Sequence, residues 1–89
     1  MTTETTLSIT PGATLAAARE FFIGATRMAD AWIESESVSH VSFCTFRGNV
    51  SIAAVADPDD ASTTRVRVTT LREEGLVPRL ITYLNLQAV

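Results

Sequence analysis

The chain has 89 residues, of which 46 % are hydrophobic and 19 % charged, a length and composition that predict one globular domain over residues 1–89. Ten carboxylates outnumber the seven basic residues, which are all arginines scattered along the chain. The composition therefore offers no basic face for nucleic acid. No apolar run approaches the roughly 20 residues that cross a bilayer, and residues 1–10 lack an apolar leader. We expect no membrane partner and a place in the cytoplasm or within an assembled particle.

The first part of the chain predicts a strand followed by a long helix. Hydrophobic and polar residues alternate over 4–10, as in a strand with one buried face. Thr10 and Pro11 then resemble a helix N-cap followed by proline at the first helical position. From about 14 to 35, apolar residues recur at three- and four-residue steps, and Trp32 falls near the end of that stripe.

The middle of the chain predicts three strands. Residues 38–47 are rich in β-branched and aromatic types, and Gly48-Asn49 has the composition of a two-residue hairpin turn. Residues 50–57 form the return strand of that hairpin. A polar loop leads to a further strand at 64–71, where valines and arginines alternate.

The tail predicts a short helix over 76–85, because its apolar residues share one broad face and Pro78 suits a first helical turn. The element order is then β-α-β-β-β-α. We expect a two-layer α+β fold, with a mostly antiparallel sheet and the long helix on one face.

The hairpin turn also predicts which side chains share a face of the sheet. With Gly48-Asn49 as the loop, Arg47 lies opposite Val50 and His40 lies opposite Asp57. The more apolar face, expected to meet the helix, carries Val41, Phe43, Thr45, Val50, Ile52, Ala54 and Ala56. The other face carries His40, Ser42, Cys44, Phe46, Ser51, Ala53, Val55 and Asp57.

This second face is more apolar than a fully solvated surface needs to be. An apolar centre with a charged rim is typical of partner-binding patches. Small apolar residues on a surface are also common without any function, and the C-terminal helix is an alternative cover. The interface candidates are Phe46, Val55, Cys44, Ala53, Arg65 and Arg67. We expect the domain to self-associate, or to bind another protein, through the face with Phe46 and Val55.

Two alternatives remain open. One is a small-ligand pocket between helix and sheet, with Phe22, Trp32 and Phe43 among its lining residues. The other is an enzyme site assembled across an oligomer interface from His40, Asp57, Cys44 and an arginine.

Within one chain we expect no catalytic site, because the serines near His40 come without a glycine-rich elbow or an oxyanion donor. Cys44 shares a face with His40, but a lone cysteine among phenylalanines is more often packing than a nucleophile. No spacing of ligand residues predicts a metal site or a cofactor.

These observations favour a non-enzymatic protein-interaction module. Small acidic subunits of this kind include structural or accessory subunits of bacterial or phage particles and small inhibitors. The sequence predicts a protein partner or a second copy of the chain.

Overall fold

The computed structural model of the chain describes residues 2–24 and 31–87. Its elements in chain order are β1 (Thr2–Leu7), α1 (Pro11–Phe22), β2 (Ala31–Glu36), β3 (His40–Thr45), β4 (Asn49–Asp57), β5 (Asp60–Leu71), a single 3-10 turn (Glu74–Leu76) and α2 (Val77–Gln87). The five strands form one antiparallel sheet in the order β1-β5-β4-β3-β2. The expected two-layer α+β class is confirmed.

The first helix begins as expected and ends earlier. The hydroxyl of Thr10 accepts a hydrogen bond from the backbone N–H of Ala13 at 3.1 Å, and Pro11 is the first helical residue. The helix predicted over 14–35 is shorter, since α1 ends at Phe22, and the prediction was wrong at residues 31–35, which belong to β2. Part of the predicted stripe, residues 25–30, lies outside the described residues.

Strand β2 shows how tertiary pairing overrides a local pattern. Trp32 lies opposite Cys44 and Ile33 opposite Phe43 on the neighbouring strand β3. The spacing of apolar residues in 31–36 also suits a helix. Pairing with β3 supplies these residues with backbone hydrogen-bond partners, and this tertiary interaction outweighs the local preference. Trp32 therefore lies on a strand, and the sheet gains a fifth member that the sequence pattern did not predict.

The β3–β4 hairpin has a different register from the predicted one. Phe43 lies opposite Val50 and His40 opposite Ala53, so the prediction that His40 faces Asp57 was wrong. The turn is centred on residues 46–47, and the hydroxyl of Thr45 accepts hydrogen bonds from the N–H groups of residues 47 and 48, both at 3.1 Å. The paired residues of the two strands, 40–44 and 49–53, nevertheless stay on their predicted faces, because the register differs by an even number of residues.

The core lies between the sheet and the two helices. Phe22 of α1 and Phe43 of β3 are fully buried, and their rings stack with centroids 4.5 Å apart. The predicted C-terminal helix is confirmed as α2, with Pro78 in its first turn and Leu80 and Leu84 buried. The remaining buried hydrophobic residues are Leu7, Leu15, Ala18, Phe21, Val41, Val50, Ile52, Ala54, Val66, Val68 and Val77.

Within the described residues, neither helix has the length and apolar character that crossing a membrane requires.

Candidate interaction surface

The sheet has one face that no described helix covers, and we call it the open face. Strand side chains alternate between this face and the core. In β5, for example, Val66 and Val68 are buried whereas Arg65 and Arg67 are exposed. The core contains residues from both α1 and α2, which places the two helices together on the opposite face.

The strand register arranges the open face in rows that run across the sheet. The first row, at the β3–β4 turn, contains Trp32, Cys44, Asn49 and Leu71. The second row contains Ser35, Ser42, Ser51, Thr69 and Thr2. The third contains His40, Ala53, Arg67 and Glu4, and the fourth contains Val55, Arg65 and Thr6.

Two aromatic side chains meet at the turn end of the open face, and we call this pair the aromatic corner. The ring of Trp32 packs edge-on against the ring of Phe46, with centroids 5.7 Å apart. Trp32 is 48 % exposed and Phe46 is 87 % exposed. Leu71, in the same row as Trp32, is 58 % exposed. Trp32 and Phe46 are therefore neighbouring apolar surfaces left in water rather than isolated residues, whereas Leu71 lies three strand spacings from Trp32, about 14 Å.

The middle of the open face carries a chain of hydroxyl groups. The Oγ atoms of Ser42 and Ser51 lie 2.6 Å apart, and Nε2 of His40 lies 2.9 Å from the Ser42 Oγ. Asp57 is remote from this chain and accepts a hydrogen bond from the N–H of Asp59 at 2.9 Å. The histidine and the aspartate of the predicted shared site are therefore not brought together within one chain.

The far end of the open face is charged and concave. Nε and Nη2 of Arg67 both donate to Oε1 of Glu4, at 3.1 and 2.9 Å. Arg65 is exposed, and no described residue forms an ion pair with it. An open concavity of about 680 Å³ is lined by Glu4, Thr5, Thr6, Ala53, Val55, Arg65, Val66 and Arg67.

The six interface candidates all lie on the open face, but they form two groups. Ala53, Val55, Arg65 and Arg67 line the concavity. Cys44 and Phe46 lie at the turn end, beside Trp32. Val55 is six positions along β4 from Asn49 of the first row, a separation of about 20 Å. The structure therefore does not place Phe46 and Val55 in one continuous patch.

The thiol of Cys44 is held by a carboxylate rather than by arginines. Its Sγ donates to Oε2 of Glu34 at 3.0 Å. This hydrogen bond, followed by partial burial and the negative charge of Glu34, raises the pKa of the Cys44 thiol. A raised pKa keeps the thiol protonated and lowers its nucleophilicity at neutral pH. His40 lies four positions away on the same strand, about 13 Å, and does not contact it.

The residues named for a ligand pocket are not brought together either. Phe22 and Phe43 fill the space between helix and sheet with their own stacked rings. Trp32 lies on the opposite side of the sheet, with the open face. Among the described residues, no group of three or more His, Cys, Asp or Glu side chains is placed to hold a metal ion.

Three large or charged residues that shape the candidate surface are not predicted there by the sequence pattern. Trp32 was assigned to a helix, so its place beside Phe46 was not expected. Glu4 and Leu71 were not considered, although alternation within their own strands assigns both to this face once β1 and β5 are paired. Their long-range strand pairing gives no local signal.

Comparison with protein-family models and with curated protein sequences gives no match to this chain. Its function is therefore inferred from its own geometry.

Proposed function

We propose that this domain is a non-enzymatic protein-binding module whose aromatic corner docks into an apolar pocket of a partner protein. The observation that carries the proposal is the exposed contact between Trp32 and Phe46 on a sheet face free of described helices. Tryptophan and other aromatic residues supply most of the binding energy in many protein interfaces. They do so because they bury a large area with few rotatable bonds.

The surroundings of the corner fit the rim of such an interface. The Glu34 carboxylate lies beside Cys44, and the exposed Arg47 guanidinium lies on the adjacent turn. A polar rim around an apolar centre orients a partner and limits non-specific association. A subunit of an assembly and a small inhibitor both act by presenting such a surface.

The cellular setting of the proposal is the cytoplasm or an assembled particle. Cys44 is the only cysteine of the chain, so the domain needs no internal disulfide and suits a reducing compartment.

The first test is capture of partners by the tagged full chain from an extract of its source organism. The test variant carries Trp32→Ala and Phe46→Ala together, and the matched control carries Leu86→Ala, an exposed hydrophobic residue on α2. We expect the wild-type and control chains to retain the same protein and the corner variant to lose it. Circular dichroism establishes that all three chains are folded. Equal capture by all three would reject the aromatic corner as the binding site.

The single tryptophan gives a second, quantitative readout with the purified partner. Trp32 is the only tryptophan of the chain, so its fluorescence reports on the corner alone. We expect its emission to shift to shorter wavelength as the partner removes it from water. A hot-spot residue contributes about 2 kcal/mol or more, so Phe46→Ala should weaken binding by roughly 30-fold. An unshifted emission at saturating partner would contradict the proposal.

A further inference from the structure

The two edges of the sheet differ in how they are protected against pairing with another chain. Strand β2 forms one edge and shows an irregularity in its register between Ile33 and Ser35. It also carries two carboxylates, Glu34 and Glu36. Bulges and charges on edge strands are devices that prevent edge-to-edge association.

Strand β1 forms the other edge and has no bulge and no charge other than that of Glu4. Its residues Thr2–Leu7 pair with β5 in an unbroken register, without a bulge. The strand contains no proline or basic residue, and four of its six residues are threonines, which favour strands. Its one charge, Glu4, lies on the open face and is paired with Arg67. An edge of this kind is a template for another strand.

We propose that β1 pairs antiparallel with β1 of a second copy of this chain, which joins the two sheets into one continuous sheet. A two-fold axis perpendicular to the sheet keeps the helices of both copies on the same side. Side chains that lie opposite each other must then belong to the same face. Only registers centred on a residue of β1 satisfy this condition.

One of these registers pairs the largest number of residues without placing two carboxylates opposite each other. With Thr5 on the axis, the residues from Thr3 to Leu7 all find partners, and Glu4 lies opposite Thr6 of the second copy. Centring on Glu4 pairs as many residues but places two carboxylates opposite each other, which is destabilising. Centring on Thr3 or Thr6 pairs only three residues of the strand.

The Thr5-centred register also supplies a partner for Arg65. Arg65 lies opposite Thr6 within its own chain, and Thr6 would lie opposite Glu4 of the second copy. The backbones of Arg65 and of that Glu4 are then two strand spacings apart, about 9.6 Å. The extended side chains of the two residues can span this distance across Thr6. The arginine that lacks an ion pair among the described residues gains one, twice per dimer by symmetry.

The test combines molecular mass with directed disulfide cross-linking of the full chain. In a Cys44→Ser background, Thr5→Cys places two thiols directly opposite, with Cβ atoms about 4.5–5.5 Å apart, close to the separation in a disulfide. The matched control is Thr3→Cys, on the same strand and face, where the two thiols are about 14 Å apart along the strands. We expect oxidation to cross-link the first variant and not the second. Mixing Glu4→Cys chains with Thr6→Cys chains should give only the mixed disulfide.

Sedimentation equilibrium of the wild-type chain should show a dimer, and Arg65→Ala should raise its dissociation constant by about two- to thirty-fold, the range for two exposed ion pairs. A monomer at every concentration would overturn the proposal. A dimer that cross-links at position 3 and not at position 5 would overturn the register. A dimer abolished by Trp32→Ala and Phe46→Ala, with no cross-link through β1, would assign self-association to the open face instead. A monomer, or a β1 dimer in another register, leaves capture of a different protein by the aromatic corner unaffected, whereas self-association through the open face would make a second copy the occupant of that corner.

Discussion

Replacement of Gly48 by alanine should destabilise the domain through a backbone clash. Gly48 has no positive φ angle, so its freedom to adopt left-handed conformations is not what the position requires. A Cβ atom built there would lie 1.8 Å from the carbonyl oxygen of Leu71 and 2.9 Å from its carbonyl carbon. Both are backbone atoms, so β4 and β5 must separate locally to admit a methyl group.

Overpacking of this kind typically costs about 1–3 kcal/mol. In a domain of this size each kcal/mol lowers the melting temperature by roughly 4–8 °C, so Gly48→Ala should melt well below the wild type. The matched control is Gly12→Ala, because no heavy atom other than those of its chain neighbours and of the nearby helix backbone lies within 4 Å of a Cβ at that position. This control should raise the free energy of unfolding by about 0.4–1 kcal/mol, since it restricts the unfolded chain.

The measurement is urea unfolding of both variants, followed by circular dichroism. Unfolding slopes equal to that of the wild type would show that the change lies in stability rather than in compactness. If Gly48→Ala matched the wild type in midpoint while Gly12→Ala behaved as expected, the close approach of β5 to Gly48 would be refuted.

Three further predictions concern single side chains. Thr10→Ala removes the N-cap of α1 and should lower the free energy of unfolding by about 0.5–2 kcal/mol in urea titrations. Glu34→Ala removes the carboxylate that accepts the hydrogen bond of the Cys44 thiol and whose negative charge also raises the thiol pKa, so a thiol-reactive dye should label Cys44 faster than in the wild type at about pH 8; an unchanged rate would contradict the assigned contact. Hydrogen bonds from the side chain and backbone of Ser62 lower the pKa of Asp60. NMR titration of Ser62→Ala should therefore find the Asp60 pKa closer to its ordinary value of 3.8.

The lowered pKa of Asp60 determines how this carboxylate contributes to stability at different pH. Because the folded-state pKa is lower than the unfolded-state value, the carboxylate stabilises the fold above the ordinary pKa. This contribution is lost as the pH falls through the lowered, folded-state pKa. In Ser62→Ala, stability should depend less on pH in this acidic range.

The faces of the β3–β4 hairpin could be predicted from the sequence, but its register could not. Alternation with period two assigns each residue to a face, and any even displacement leaves that assignment intact. The register depends on which residues form the turn. There the hydroxyl of Thr45 and the close approach of Leu71 to Gly48 outweigh the local preference of Gly48-Asn49.

For the candidate surface, too, the sequence predicted which face a residue lies on but not its position along that face. Alternation predicted that Cys44, Phe46 and Val55 lie on one face. It did not predict that Phe46 and Val55 lie at opposite ends of that face, because their separation depends on the hairpin register. Nor did it predict the partner of Phe46, since Trp32 reaches it only through pairing of β2 with β3.

The sequence by itself determined the α+β class, the start of α1, the helical tail and the face on which each residue of the hairpin lies. Each of these depends on interactions between residues close together in the chain, such as the cap of Thr10 or the alternation in β5. Tertiary structure decided that residues 31–36 form a strand, that Trp32 meets Phe46, and that β1 lies at an edge of the sheet. These outcomes depend on pairing between distant segments, whose hydrogen bonds and contacts exist only after the sheet has assembled.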